Sequence, residues 1–193
     1  MIHWVTNFTS PYGRGAGTTT REDEAMLLTP GPVPVPATVR EAAARQVINH
    51  RGAAFRELYG SVRNRLLPLF GGDGDPFVFP GSGTGALEAA VVNFFSPGER
   101  VAAVVMGEFG QRWASIAAAF GLRVERFEVE WGGAPAAAAL AEWLDRTGPY
   151  AGLLVTYNET STGAAVDLEA VGRLARERSL PLLVDAVSAL GGM

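Results

Sequence analysis

Short apolar runs that alternate with helix-length segments constrain this chain more than any other feature. "VAAVVM" (Val101–Met106), "GLLVT" (Gly152–Thr156) and "LPLLV" (Leu180–Val184) carry no charge and are built largely from Val, Leu and Ala. Runs of this kind suit strands buried on both faces, as in parallel sheets. Further strands are expected at Phe77–Phe79 and Arg123–Val129. Helices are expected between them, near Gly85–Phe95, Gln111–Phe120, Pro135–Asp145 and Leu168–Arg178, the last with Asp167 as its N-cap. Strands joined by single helices imply right-handed crossovers and a mostly parallel sheet covered on both faces. The expected fold is therefore α/β, a three-layer sandwich.

Upstream the pattern changes. Residues 1–25 show no sustained period and read as a loose N-terminal extension, with residues 26–193 forming the folded part. "TPGPVPVP" (Thr29–Pro36) is held extended by its prolines. A helix is expected from Ala37 towards Ile48. A second is expected over Ala53–Leu67, with Phe55, Leu58, Tyr59, Val62 and Leu66 on one face, ended by Pro68 and "GGDGDP".

Composition limits the function. The 193 residues, 48% hydrophobic and 19% charged, are those of a soluble globular protein. A net charge of -4 without a basic tail argues against nucleic acid. Cysteine is absent, which excludes disulfides and thiolate metal sites, and no metal is expected. Neither a signal-peptide pattern nor a bilayer-length apolar run is present, so a cytoplasmic protein away from membranes is expected. All 16 basic residues are arginine. Any mechanism that needs a lysine cannot take it from these residues.

In a parallel α/β sheet, ligands bind at the carboxyl ends of the strands, and here those ends are polar. "FVFPGSGTGALEAA" (Phe77–Ala90) runs from an apolar stretch into Gly81-Ser82-Gly83-Thr84 and then a helix, a setting for phosphate. An ordinary glycine turn capped by Thr84 would read the same way. Gly81, Gly83 and Ala86 also satisfy the dinucleotide fingerprint, with Glu108 as its acid. "VVMGEFGQRW" (Val104–Trp113) places Phe109 in the loop before a helix, where it could stack on a flat ligand or plug the core. "NETSTG" (Asn158–Gly163) is a polar cluster that fits either a ligand edge or a self-bonded turn. Asp185 ends an apolar run, and a buried carboxylate needs a cation or several donors. One ligand accounts for all four: a phosphate, a flat ring and a ring cation, as in pyridoxal 5'-phosphate. A nicotinamide dinucleotide would leave Asp185 and "NETSTG" without roles.

"LLTPGPVPVP", "GSGTGALEAAVVNFFSPGERV", "GEFGQRW", "NETSTG" and "LLVDAVSALGG" together resemble the class V pyridoxal-phosphate-dependent aminotransferases, most nearly the alanine–glyoxylate/serine–pyruvate group. The resemblance covers about residues 26–193 and implies the large domain of a fold-type I transferase. It implies that Ser82, Gly83 and Thr84 hold the cofactor phosphate and that Phe109 stacks on its ring. Val187 would pack on the opposite face, Thr160 would bond near the phenolic oxygen, and Asp185 would pair with the ring nitrogen. Pro30, Gly31 and Pro32 would line the substrate side; His50 and Arg51 fall in a segment near the site in relatives but fit a surface role better. The family's Schiff-base lysine and C-terminal small domain lie beyond the acid, so the resemblance implies a truncated domain, inactive by itself. The implied reaction is transamination between alanine or serine and glyoxylate or pyruvate, by a homodimer. The alternatives are a non-catalytic remnant or split-chain subunit that binds a phosphorylated ligand or partner, and, more weakly, a dinucleotide-binding oxidoreductase.

Overall fold

The apolar runs pair side by side. The computed structural model describes residues 29–71 and 74–193, and the chain divides into two compact units, Met1–Arg45 and Gln46–Met193. The expected extension over residues 1–25 lies outside the described residues. In the first unit, α1 (Ala37–Ala43) follows the extended proline segment. It stops short of Ile48, because Val47, Ile48 and Asn49 are poor helix formers.

The second unit opens with α2 (Ala53–Phe70). Pro68 does not end this helix: it forfeits only the bond to the Asn64 carbonyl, and the helix runs on to Gly71, whose φ of 65° stops it. There follow α3 (Gly83–Phe94), β1 (Arg100–Val105), α4 (Glu108–Ala119), β2 (Arg123–Glu128), α5 (Ala137–Thr147) and β3 (Gly152–Thr156). The chain then makes β4 (Asn158–Glu159), β5 (Ala164–Ala165), α6 (Leu168–Glu177) and β6 (Leu182–Asp185). Asp167 caps α6 by accepting from the Ala170 N–H.

The main sheet has four strands in the order β2-β1-β3-β6, all parallel. Side-chain alternation gives each face its own core. Ala103, Val105, Leu154 and Leu183 meet Leu87 and Val91 of α3 and Trp113, Ala114 and Ala117 of α4. Ala102, Val104, Leu153 and Val155 meet Leu140 and Leu144 of α5 and Val171 and Leu174 of α6. Two helical layers therefore enclose one sheet. Each large aliphatic side chain buried this way contributes about 1.5–3 kcal/mol.

One expectation about strands needs correction. Phe77–Phe79 is not a strand: Phe77 is 90% exposed, and the segment pairs with no strand among the described residues. "NETSTG" supplies β4 and the turn of the antiparallel β4–β5 hairpin. Its turn is closed by the Thr162 and Gly163 N–H groups donating to the Glu159 carbonyl.

Candidate functional site

Parallel pairing in register brings the carboxyl ends of β1, β3 and β6 to one edge, where Thr156 lies opposite Asp185. Both continue the sheet face that carries Leu154 and Leu183, the face covered by α3 and α4. Asp185 is 6% exposed. The Val187 N–H donates to its Oδ1 (3.0 Å), and no cation among the described residues pairs with it. The Thr156 hydroxyl is buried beside it with no hydrogen-bond partner. An uncompensated carboxylate and an orphaned hydroxyl at one strand edge are costly unless a ligand meets them.

The start of α3 lies against this edge. Ser82 is its N-cap and accepts from the Gly85 N–H (3.2 Å), so Ser82, not Thr84, caps the helix. The first intrahelical bond is Ala86 N–H to Ser82 carbonyl. The Gly83 and Thr84 N–H groups precede it and donate to no acceptor among the described residues, an arrangement suited to an anion. Gly83 touches the segment after β6: a Cβ there would meet Val187 Cγ2 at 3.0 Å. Val187 itself is 74% exposed. An open groove of about 660 Å³ runs from Gly83, Leu87 and Trp113 to Asp185 and Val187.

Phe109 is not in a loop but in the first turn of α4, half-buried, with the Arg112 guanidinium 5.1 Å from its ring centroid. Thr160 donates to Ser188 Oγ (2.8 Å), and Ser188 donates to the Asn158 carbonyl and Oδ1. The hairpin and the segment after Asp185 are thus tied together. In this way Phe109, Thr160, Asp185 and Val187 follow the carboxyl ends of the three neighbouring strands β1, β3 and β6, while Ser82, Gly83 and Thr84 form the start of α3. Pro30, Gly31 and Pro32 belong to the first unit, where the Thr29 hydroxyl donates to the Pro32 carbonyl. His50 and Arg51 are exposed just before α2.

The sequence reading missed Glu159. This carboxylate is wholly buried and accepts from the N–H groups of Phe109, Gly110 and Ser161 and from the Ser161 hydroxyl. An acid set among Asn, Thr and Ser beside an apolar strand was the only local signal. Glu108, the acid of the dinucleotide reading, instead forms an ion pair with Arg112 (3.0 Å) on the surface of α4. With no strand preceding Gly81 among the described residues, the glycine turn also lacks the context of a dinucleotide fingerprint.

Comparison with known proteins agrees with this geometry. The family model described as aminotransferase class-V matches residues 37–193. The chain is 39% identical over 173 residues to a soluble hydrogenase 42 kDa subunit of Anabaena cylindrica, covering 88% of this chain and 45% of that one. Among solved structures it is similar to the aspartate aminotransferase of subgroup IV from Thermus thermophilus (TM-score 0.79, 40% identity, 86% of this chain and 47% of that one). It is similar also to the alanine–glyoxylate aminotransferase of Nostoc sp. (TM-score 0.83, 34% identity, 87% and 45%). The chain thus spans about half the length of the relatives it matches. A parallel sheet with a buried acid at one strand end, an open helix N-terminus beside it and a match over most of the length converge: the chain belongs to the class-V aminotransferase family.

Proposed function

We propose that these residues form the cofactor-holding part of an aminotransferase that uses pyridoxal 5'-phosphate. The observation that carries the reading is Asp185, a buried carboxylate that pairs with no cation among the described residues. The residues fit the cofactor's three chemical features. The free N–H groups of Gly83 and Thr84 suit its phosphate, with the Ser82 and Thr84 hydroxyls beside them. Phe109, with Arg112 over its ring, suits the flat ring, and Val187 beside Gly83 suits the opposite face. Asp185 suits a protonated ring nitrogen, because a carboxylate in a dry site stabilises a cation it touches. Thr160 is assigned to the phenolic oxygen and Pro30, Gly31 and Pro32 to the substrate side by resemblance.

When bound, the cofactor supplies an electron sink for charge that develops at an amino acid's α-carbon. The chain's own part is to bind, orient and hold a proton: Asp185 keeps the ring nitrogen protonated, and the first turn of α3 fixes the phosphate. With no lysine among its 193 residues, the chain supplies neither the covalent anchor nor the base that moves the α-proton. The reaction assigned to an enzyme carrying these residues moves an amino group from alanine or serine to glyoxylate or pyruvate. From alanine and glyoxylate it yields pyruvate and glycine. The homodimer and the cytoplasmic setting are part of the same reading.

The test is titration of the 193-residue chain with pyridoxal 5'-phosphate, followed by absorbance and equilibrium dialysis. The expected result is saturable binding that Asp185→Asn weakens about 10- to 100-fold, the worth of one charge-assisted hydrogen bond. No pyruvate should form from alanine and glyoxylate with this chain alone. Absence of binding, or binding indifferent to Asp185, refutes the reading.

A further inference from the structure

Helix α4 begins without a cap of its own. Its N-cap residue is Gly107, which has no side chain to offer, and the first intrahelical bond is Gln111 N–H to the Gly107 carbonyl. Three N–H groups, those of Glu108, Phe109 and Gly110, are therefore left over. All three are satisfied from the β4–β5 hairpin, some 50 residues further along the chain. The Glu108 N–H donates to Ser161 Oγ (3.0 Å). The Phe109 N–H donates to both oxygens of Glu159 (3.2 and 3.1 Å), and the Gly110 N–H donates to Oε2 (3.0 Å). The Ser161 hydroxyl donates to Oε1 (2.6 Å), which links the two caps.

The fit leaves no slack. A Cβ at Gly107 would lie 2.5 Å from Glu159 Cγ and 2.6 Å from both Glu159 Cδ and Ser161 Oγ. Glu159 is wholly buried, and bonds to a helix N-terminus and to Ser161 hold its carboxylate in place. From these contacts we infer that Glu159 is a positioning residue: it fixes the first turn of α4, and through it the Phe109 ring, at the edge where Asp185 lies. The inference rests on the preceding reading only in taking that ring as the surface on which a flat cofactor lies. Glu159 touches no ligand itself; its effect on binding passes through Phe109.

Glutamine at this position has the same shape but directs an amide N–H at one of the donors that glutamate accepts. The experiment is a double-mutant cycle on the 193-residue chain, with Glu159→Gln and Phe109→Ala made singly and together. The affinity for pyridoxal 5'-phosphate is read by equilibrium dialysis, and its ring orientation by induced circular dichroism. Glu159→Gln is expected to weaken binding about tenfold with Phe109 present and to alter the induced signal, yet to change affinity less than about twofold in the Phe109→Ala background. Ser161→Ala, which keeps the carboxylate and loses one donor, should show the same pattern more weakly and guards against a Glu159→Gln chain that fails to fold. An equal loss in both backgrounds overturns the positioning role while leaving the cofactor reading intact. Failure of the parent chain to bind overturns both.

Discussion

Asp185 ends β6 and Asp145 lies in the last turns of α5, and their surroundings give them opposite tasks. Asp145 is exposed and accepts two bonds from the Arg178 guanidinium (2.8 and 2.7 Å). The hydrogen bonds from Arg178 hold its carboxyl below the ordinary value of 3.8. Its contribution to stability is therefore present above 3.8 and lost as pH falls through the lower, folded value. Asp145→Asn should lower stability modestly at neutral pH and flatten the acid limb, so that variant and parent converge as pH falls. Urea midpoints measured from pH 7 down to pH 2.5 would show this, and an unchanged acid limb would refute it. Asp185 has no arginine to answer it among the described residues, which is why it reads as a binding group rather than a brace. The sequence singled out Asp185 because an acid that ends an apolar run is conspicuous. Glu159 was hidden among polar neighbours that a turn would also explain, and only folding revealed that its donors come from α4.

At the scale of elements, α4 is held against the sheet as closely as backbone allows. A Cβ at Gly110 would sit 2.8 Å from the Val104 carbonyl oxygen and 3.2 Å from Val105 Cα. Backbone cannot swing aside as a side-chain tip can, so Gly110→Ala should push α4 off β1 and cost about 1–3 kcal/mol. Chemical denaturation would measure the loss, and an unaltered midpoint would mean that helix and strand do not approach this closely. The pattern of periods fixed the order of elements and three of the four main strands almost to the residue. It mistook the start of α4 by three residues, because a glycine N-cap gives no local signal when the capping groups arrive from a distant hairpin. It also made a strand of Phe77–Phe79, since a run can have strand composition without pairing with any strand.

Across the whole second unit, the two edges of the sheet differ. β2 carries Arg123, Glu125, Arg126 and Glu128, the kind of charged edge that discourages pairing. β6 is apolar up to Asp185 and, among the described residues, pairs on one side only. Exposed apolar side chains are plentiful here: Phe70, Phe77, Phe79, Phe94, Val187 and Leu190 are all at least 47% exposed. α2, whose apolar stripe was expected to pack, has no buried residue at all. Surface of this kind drives association. The chain in isolation should therefore self-associate with rising concentration, as sedimentation velocity would detect; a monomer at all concentrations would contradict this.

The sequence by itself determined the alternating α/β order, the parallel sheet, and which strand ends carry polar groups, because strand and helix periods are local and buried runs are apolar throughout. Tertiary structure alone decided which of those groups share a surface. Register set Thr156 opposite Asp185, the hairpin carried Glu159 to the first turn of α4, and Val187 came to rest against Gly83. Each of these joins residues far apart in the chain, where close packing rather than local pattern determines what touches what.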